Sequence, residues 1–220
     1  MTDFSFSVAT DVLRAALVCV STEETRYYLR GVSIEPDADD VVIVSTDGHR
    51  LFCGRVPMPP AGAILPPSKF IIPTDAVKKA LTGYKGLGIH LTRTGDVWTL
   101  GDVTFKPVDG TFPEWRRVAP SQKTISDDLG KIAQFNPTYM ADMAKVAKAV
   151  APGPRHTVQA TVHHMGSGPA VVTFTGREDL FCLVMPMRGE MMDKAALGFL
   201  TAHVTQDKAA TRAAMAKRKA

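Results

Sequence analysis

A chain of 220 residues, 45% of them hydrophobic, is long enough to bury a core in one or two domains. Cys19, Cys53 and Cys182 are odd in number and lie in apolar runs, which excludes a disulfide framework and reads as reduced thiols in a cytoplasmic protein; the lack of a charged-then-apolar leader or a bilayer-length apolar run argues against secretion and membrane insertion. The net charge of +4 belongs to the tail, where Lys194, Lys208, Arg212, Lys217, Arg218 and Lys219 outnumber Asp193 and Asp207, which leaves residues 1–190 neutral and makes the basicity a tail property.

Phe4, Phe6 and Val8 alternate as a strand, and Thr10 or Asp11 can cap a helix whose apolar side is Val12, Leu13, Ala16, Leu17 and Val20, with Arg14 opposite. Tyr27–Ile34 and Val41–Val44 read as strands joined by an acidic turn, and Leu51–Val56 as a third. After the Pro/Gly/Ala-rich connection 57–67 the same order returns. Phe70–Ile72 is a strand, Pro73-Thr74-Asp75 starts a helix, and Ile89–Leu91, Val97–Leu100 and Val103–Phe105 are three short strands. Ser121–Asp128 reads as a polar linker. A third unit then has a strand at Lys131–Phe135, a helix from Pro137 burying Tyr139, Met140, Met143, Val146, Ala147 and Val150, a stop at Ala151–Pro154, and strands at Thr157–His163, Ala170–Phe174 and Asp179–Met185. The fold class is therefore α+β, built from about three strand-helix-three-strand units. The Ala, Lys and Met content of residues 191–220 favours a basic helical tail.

Three strand ends carry an arginine beside apolar side chains: Thr46-Asp47-Gly48-His49-Arg50-Leu51, Phe112–Val118 and Val184–Arg188. Such ends can form a groove for a short apolar peptide, with guanidinium donors for its polar groups. The bland alternative is ordinary strand ends with core methionines and solvated arginines. Glu24–Val32, Thr46–Leu51, Val108-Asp109-Gly110 running into Phe112–Pro120, Phe135-Asn136 with Tyr139, and Val184–Arg188 follow one another in an order and spacing that resembles the bacterial sliding clamp, the beta subunit of DNA polymerase III, from about Phe4 to Arg188.

The resemblance implies a DNA-clamp fold in which residues 1–120 are a complete two-unit domain, like the family's middle domain, and residues 121–190 a half-domain, like the second half of its last one; 191–220 is then an added tail. It implies a partner-peptide pocket with Leu29, Leu51, Val118, Met185, Pro186 and Met187 as floor and Thr46, Gly48, His49, Arg50, Pro113, Arg117, Asn136, Tyr139 and Arg188 as rim. It also implies sequence-independent contact with double-stranded DNA through Arg14, Lys78, Lys79, Lys145 and Lys148 on exposed helix faces and Arg26, Tyr27 and Tyr28 on the adjacent turn. Against that stands the reading of a solvated helix face, since Asp75 and Asp142 interrupt the basic stripe.

The function implied is that of a processivity factor without cofactor or metal, a homo-oligomer (dimer or tetramer) that tethers a polymerase and other proteins carrying clamp-binding motifs; the alternative is a non-ring adaptor or decoy binding the same peptides. Catalysis is not expected. His49, Asp47 and Cys53 are neighbours in sequence without oxyanion donors, and His163 and His164, being adjacent in a strand, point to opposite faces rather than to one metal. A half-domain leaves an unpaired edge, so the third unit is expected to complete its sheet against the first domain or another chain. Leu197, Gly198, Phe199 and Leu200 loosely resemble the apolar end of a clamp-binding peptide and are expected either to occupy a pocket or simply to pack.

Overall fold

In the computed structural model, β1 (Phe4–Ala9) runs directly into α1 (Thr10–Ala16), and a 3-10 turn over Glu24–Leu29 leads to β2 (Gly31–Asp37), β3 (Asp40–Thr46) and β4 (Arg50–Val56). The order repeats in β5 (Phe70–Pro73), α2 (Thr74–Leu81), β6 (Gly88–Thr94), β7 (Val97–Leu100) and β8 (Val103–Phe105). Beyond a 3-10 turn at Trp115–Arg117 and a short α3 (Gln122–Asp128), a third unit comprises α4 (Pro137–Ala149), β9 (Ala160–His163), β10 (Ala170–Phe174) and β11 (Arg177–Val184). The structure describes residues 3–37, 40–56, 64–153 and 156–188. Described residues up to Met187 fall in one compact unit, and Arg188 is the one described residue of a second, 188–220. The helical tail and the Leu197–Leu200 cluster expected from the sequence lie outside the described residues.

The first two units exchange their first strands. One sheet has the order β1-β6-β7-β8 and the other β5-β2-β3-β4-β11-β10-β9, with every named pairing antiparallel. β11 joins β4 over Leu180↔Gly54 to Val184↔Arg50, so the third unit completes one side of its sheet against the first. Helices cover one face of the sheets, where Val12, Leu13, Ala16, Val77, Ala80, Met143 and Val146 meet Ile34, Ile43, Phe52, Leu91 and Cys182. On the opposite face a second cluster of Leu29, Val44, Leu51, Ile71, Phe112, Trp115 and Leu183 is roofed by the chain that follows β8.

Tyr27 and Tyr28 belong to the 3-10 turn, not to β2, which begins at Gly31. Glycine is required there, since a Cβ would lie 2.4 Å from Ile71 Cγ2 and 2.6 Å from the Ile72 carbonyl oxygen. α1 is preceded by Ala9 with no side-chain cap; the Thr10 hydroxyl instead donates to the Gly86 carbonyl at 2.8 Å. Ser121–Asp128, read as a polar linker, carries a short helix over Gln122–Asp128 that Ser121 caps by accepting from the Thr124 N–H; none of its residues is buried. Lys131–Phe135 pairs with no strand among the described residues and makes a single bridge, Lys131↔Met165. In α4, Met143, Val146 and Ala147 are buried as expected, while Tyr139 and Met140 are only half-buried.

Arg177 ties the third unit to the first. Its guanidinium donates to Asp11 Oδ2 at 2.7 Å, to the Val150 carbonyl at 3.0 Å and in a fork to Asp179 at 2.9 and 2.8 Å. Arg177→Met is therefore expected to cost about 2 kcal/mol in a denaturant titration, the usual worth of a half-buried charged hydrogen-bond set. The Arg177 hydrogen bond holds the Asp179 carboxyl below its ordinary 3.8. A lowered carboxyl stabilises the fold above that value and ceases to as pH falls through the lowered one, so the difference between variant and parent shrinks only in that acid window.

Candidate functional site

The turn between β3 and β4 is built by its own side chains. Asp47 Oδ1 accepts the backbone N–H groups of His49 and Arg50 at 2.8 and 2.9 Å, and the Thr46 hydroxyl donates to the Arg50 carbonyl at 2.7 Å while accepting from the Gly48 N–H. Gly48 sits at φ 91°, in the left-handed region, and a Cβ there would come within 3.0 Å of Arg26 Nη1. The His49 carbonyl then accepts from the Met185 N–H at 2.8 Å, so the same turn anchors the chain leaving β11.

Between this turn, the Pro113–Val118 segment and the end of β11 lies a cavity of about 160 Å³ lined by Leu29, Thr46, Gly48, His49, Arg50, Leu51, Pro113, Glu114, Trp115, Val118, Leu183 and Met185. Its floor is the exposed margin of the second core cluster, from which Leu29, Leu51, Trp115 and Leu183 come. Val118 and Met185 stand at its mouth with 45% and 38% of their surface exposed, a cost that a covering apolar ligand would remove. The far wall is held by Trp115, whose Nε1–H donates to Glu35 at 3.2 Å, and by Arg116, which lies over the Trp115 ring at 4.6 Å and bonds the same carboxylate at 2.9 Å.

Arg50 is fixed from three sides. It pairs with Asp47 at 3.2 Å and with Asp142 of α4, and its guanidinium lies 5.1 Å from the centre of the Tyr139 ring, which also stacks on His49 at 5.5 Å. Asp142 is buried under this pair and bonded to Lys145, so it offsets that lysine from beneath instead of standing on the exposed stripe. Helix α4 thereby buttresses the rim.

Nine of the residues proposed from the sequence meet in the cavity, and Tyr139 adjoins it through His49 and Arg50. Arg117, Asn136, Pro186 and Met187 do not line it. Arg117 is exposed, Asn136 caps α4 by accepting from the Thr138 N–H, and the Met187 N–H donates to the Gln134 carbonyl. Arg188 is exposed and belongs to the 188–220 body, not to the one that ends at Met187. Glu114, Trp115 and Leu183 were missed, although Leu183 was detectable as the residue two before Met185 on the same strand face.

On the helical side, Lys78, Lys79, Lys145 and Lys148 are exposed. Tyr27 and Lys78 line an open cleft of about 390 Å³ with Arg30 and Asp75. Arg14 is occupied, donating to the Leu81 and Tyr84 carbonyls at 3.3 and 2.7 Å and closing the C-terminal end of α2. Arg26 is exposed and pairs with Glu23, and Tyr28 packs edge-on against Tyr27.

Among the described residues, no catalytic arrangement accompanies the cavity. Burial pushes the Cys53 thiol up to about 12, far from a neutral-pH nucleophile. His163 bonds Thr173 at 2.9 Å while His164 packs on Phe135, and no metal-ligand cluster occurs among the described residues. No helix among them is long and apolar enough to cross a membrane.

Residues 5–114, half of the chain, match the family model described as DNA polymerase III beta subunit, central domain. The chain belongs to that family. The beta sliding clamp of Caulobacter vibrioides is 31% identical over 166 residues, covering 69% of this chain and 44% of that protein, and that of Escherichia coli K12 is 32% identical over 115 residues. The solved Caulobacter crescentus polymerase III beta subunit superposes with a TM-score of 0.64 at 21% identity over 84% of this chain and 66% of that one, and the Thermotoga maritima beta subunit with 0.63 at 15% identity. The fold is thus that of DNA clamps, and the relatives carry the name of a clamp, which is not an enzyme. The chain spans less than half the length of the curated relatives it matches.

Proposed function

We propose that this clamp-family chain is a cytoplasmic, sliding-clamp-type polymerase processivity factor that holds replication or repair proteins by short apolar peptides seated between Gly48, Trp115 and Met185. The single observation that carries this reading is the convergence of three distant segments on one apolar cavity with a rigid, ion-paired arginine at its rim. A solvent-exposed apolar hollow with a few oriented polar groups is what a peptide anchor of two or three side chains fits. Tethering in this way raises the local concentration of a partner and needs no chemistry. Titration calorimetry with a peptide carrying one glutamine and three apolar side chains is expected to give micromolar affinity; no heat at millimolar peptide rejects the reading.

The DNA half of the function rests on Lys78, Lys79 and Lys148, with Tyr27 beside Lys78 in the cleft. Binding to double-stranded DNA should be sequence-independent, with log affinity falling by about 0.9 per neutralised phosphate for each log unit of salt. A second reading, a non-ring adaptor or decoy, is favoured by the engagement of Arg14 in capping α2 and of Lys145 with Asp142, which thins the basic face. Peptide binding without any salt-dependent DNA binding would select it.

A further inference from the structure

The internal repeat leaves two complementary openings in the third unit. Each complete unit lends its first strand to the other's sheet, β1 to β6 and β5 to β2, whereas among the described residues nothing pairs with the outer edge of β9 and Lys131–Phe135 enters no sheet. Yet Lys131–Phe135 occupies a first strand's place. Ala9, Pro73 and Asn136 each precede a helix with extended backbone, at φ/ψ of −64/126, −56/139 and −62/120. The Val108 N–H donates to the Ile71 carbonyl at 3.0 Å, and the Met187 N–H to the Gln134 carbonyl at 2.8 Å. In each case the acceptor stands two residues before the helix-preceding residue and the donor three beyond the unit's last strand.

We infer that two copies of the chain exchange these segments, Lys131–Phe135 of each pairing antiparallel with β9 of the other, so that two third units rebuild one complete two-unit domain around a twofold axis. The register follows from the repeat. Counting back from the equivalent Val108 and Met187 through the ladders Val103↔Leu100↔Leu91 and Cys182↔Val172↔Val162 makes Val162 the counterpart of Leu91, which pairs with Phe6. Phe6 is three residues before Ala9 as Ala133 is three before Asn136, which sets Ala133 opposite Val162 and Gln134 opposite Thr161. The hydrogen-bond phase agrees independently. The Thr175 N–H bonds the Gln159 carbonyl, so Ala160 and Val162 aim their polar groups at the open edge; the Gln134 bond to Met187 leaves Ala133 and Phe135 aimed the other way. Exposed Ile132, with 66% of its surface in water, would face the second copy's His163.

This pairing goes beyond the peptide-pocket reading and can fail without it. Gln134 and Thr161 are both exposed and form a pair without mutual backbone bonds, the spacing at which cysteines bridge antiparallel strands. The native cysteines are buried. Light scattering on the full chain at micromolar concentration is expected to give at least twice the 23.8 kDa chain mass. The Gln134→Cys, Thr161→Cys double variant should then form a disulfide between chains on mild oxidation, as neither single variant does. Ala160→Pro, which removes an edge N–H at an exposed position, should raise the dimer dissociation constant at least tenfold while circular dichroism is unchanged. A monomer, or an oligomer in which the double variant bridges within one chain or not at all, overturns the proposal.

Discussion

Met185→Glu is expected to weaken peptide binding about 100-fold or more, to the edge of detection for a micromolar ligand. Burying a methionine-sized side chain contributes about 1.5–3 kcal/mol, and a carboxylate in its place must also be stripped of water against the apolar floor of Leu29, Leu51 and Leu183. Free Met185 is exposed, so the fold should tolerate the change, and the denaturation midpoint serves as the control. Met187→Glu is the informative partner. The two methionines flank Pro186 and look alike in sequence, but Met187 does not line the cavity, so its replacement should change affinity by no more than about twofold, within the ±0.5 kcal/mol usual for surface changes. Equal losses at the two positions would show that the peptide lies across the outside of the strand end rather than in the cavity.

Arg50→Met should be the most damaging single change to the site's frame, at about 3–5 kcal/mol of stability. Two carboxylates converge on Arg50, and Asp142 is nearly out of contact with water. Without the guanidinium, Asp142 keeps only the exposed Lys145 as a charged partner, and Tyr139 loses the cation that lies over its ring. Adding Asp142→Leu to Arg50→Met is expected to recover a large part of the loss, because an uncompensated buried charge costs more than the pair contributes. If the double variant is no more stable than the single one, the penalty arises elsewhere. Urea titrations of the three chains decide this, and calorimetry on the refolded double variant shows whether the rim arginine also contacts the peptide.

Much of this was legible in the sequence because the residues concerned answer to local rules. The alternation of Phe4, Phe6 and Val8, the Thr46–Arg50 turn with its obligatory glycine, and the Pro-started α4 each form from neighbours; of the nine residues expected from the family resemblance that line the cavity, Thr46, Gly48, His49, Arg50 and Leu51 sit on or beside that turn, whereas Leu29, Pro113, Val118 and Met185 do not. What was missed depends on contacts distant in the chain. Tyr27 and Tyr28 have the composition of a strand, yet the turn closes as a 3-10 helix through the Arg30 N–H to the Tyr27 carbonyl, and the chain can approach β5 closely only from Gly31 onward. Asp142 looked like surface charge because its partner Arg50 is on another unit, and Arg14 looked free because its acceptors are carbonyls, which carry no side-chain signature. Trp115 was missed because the bond from its indole to Glu35, on the distant β2, leaves no local trace in the sequence.

The pairing of β4 with β11 carries a further implication for how the chain comes into being. Leu51 and Leu183 face each other across that seam with more than half of the sequence between them, and the cavity opens beside it. Synthesis therefore delivers the Thr46–Arg50 turn long before the wall it needs, and a chain still emerging from the ribosome offers partners no seat. Pairing so remote also closes slowly, after the local hairpins. A bound peptide, by favouring only the finished state, would stabilise the whole fold in proportion to the logarithm of its concentration. Capture of a labelled peptide during synthesis would thus serve as a clock for completion of the last hairpin.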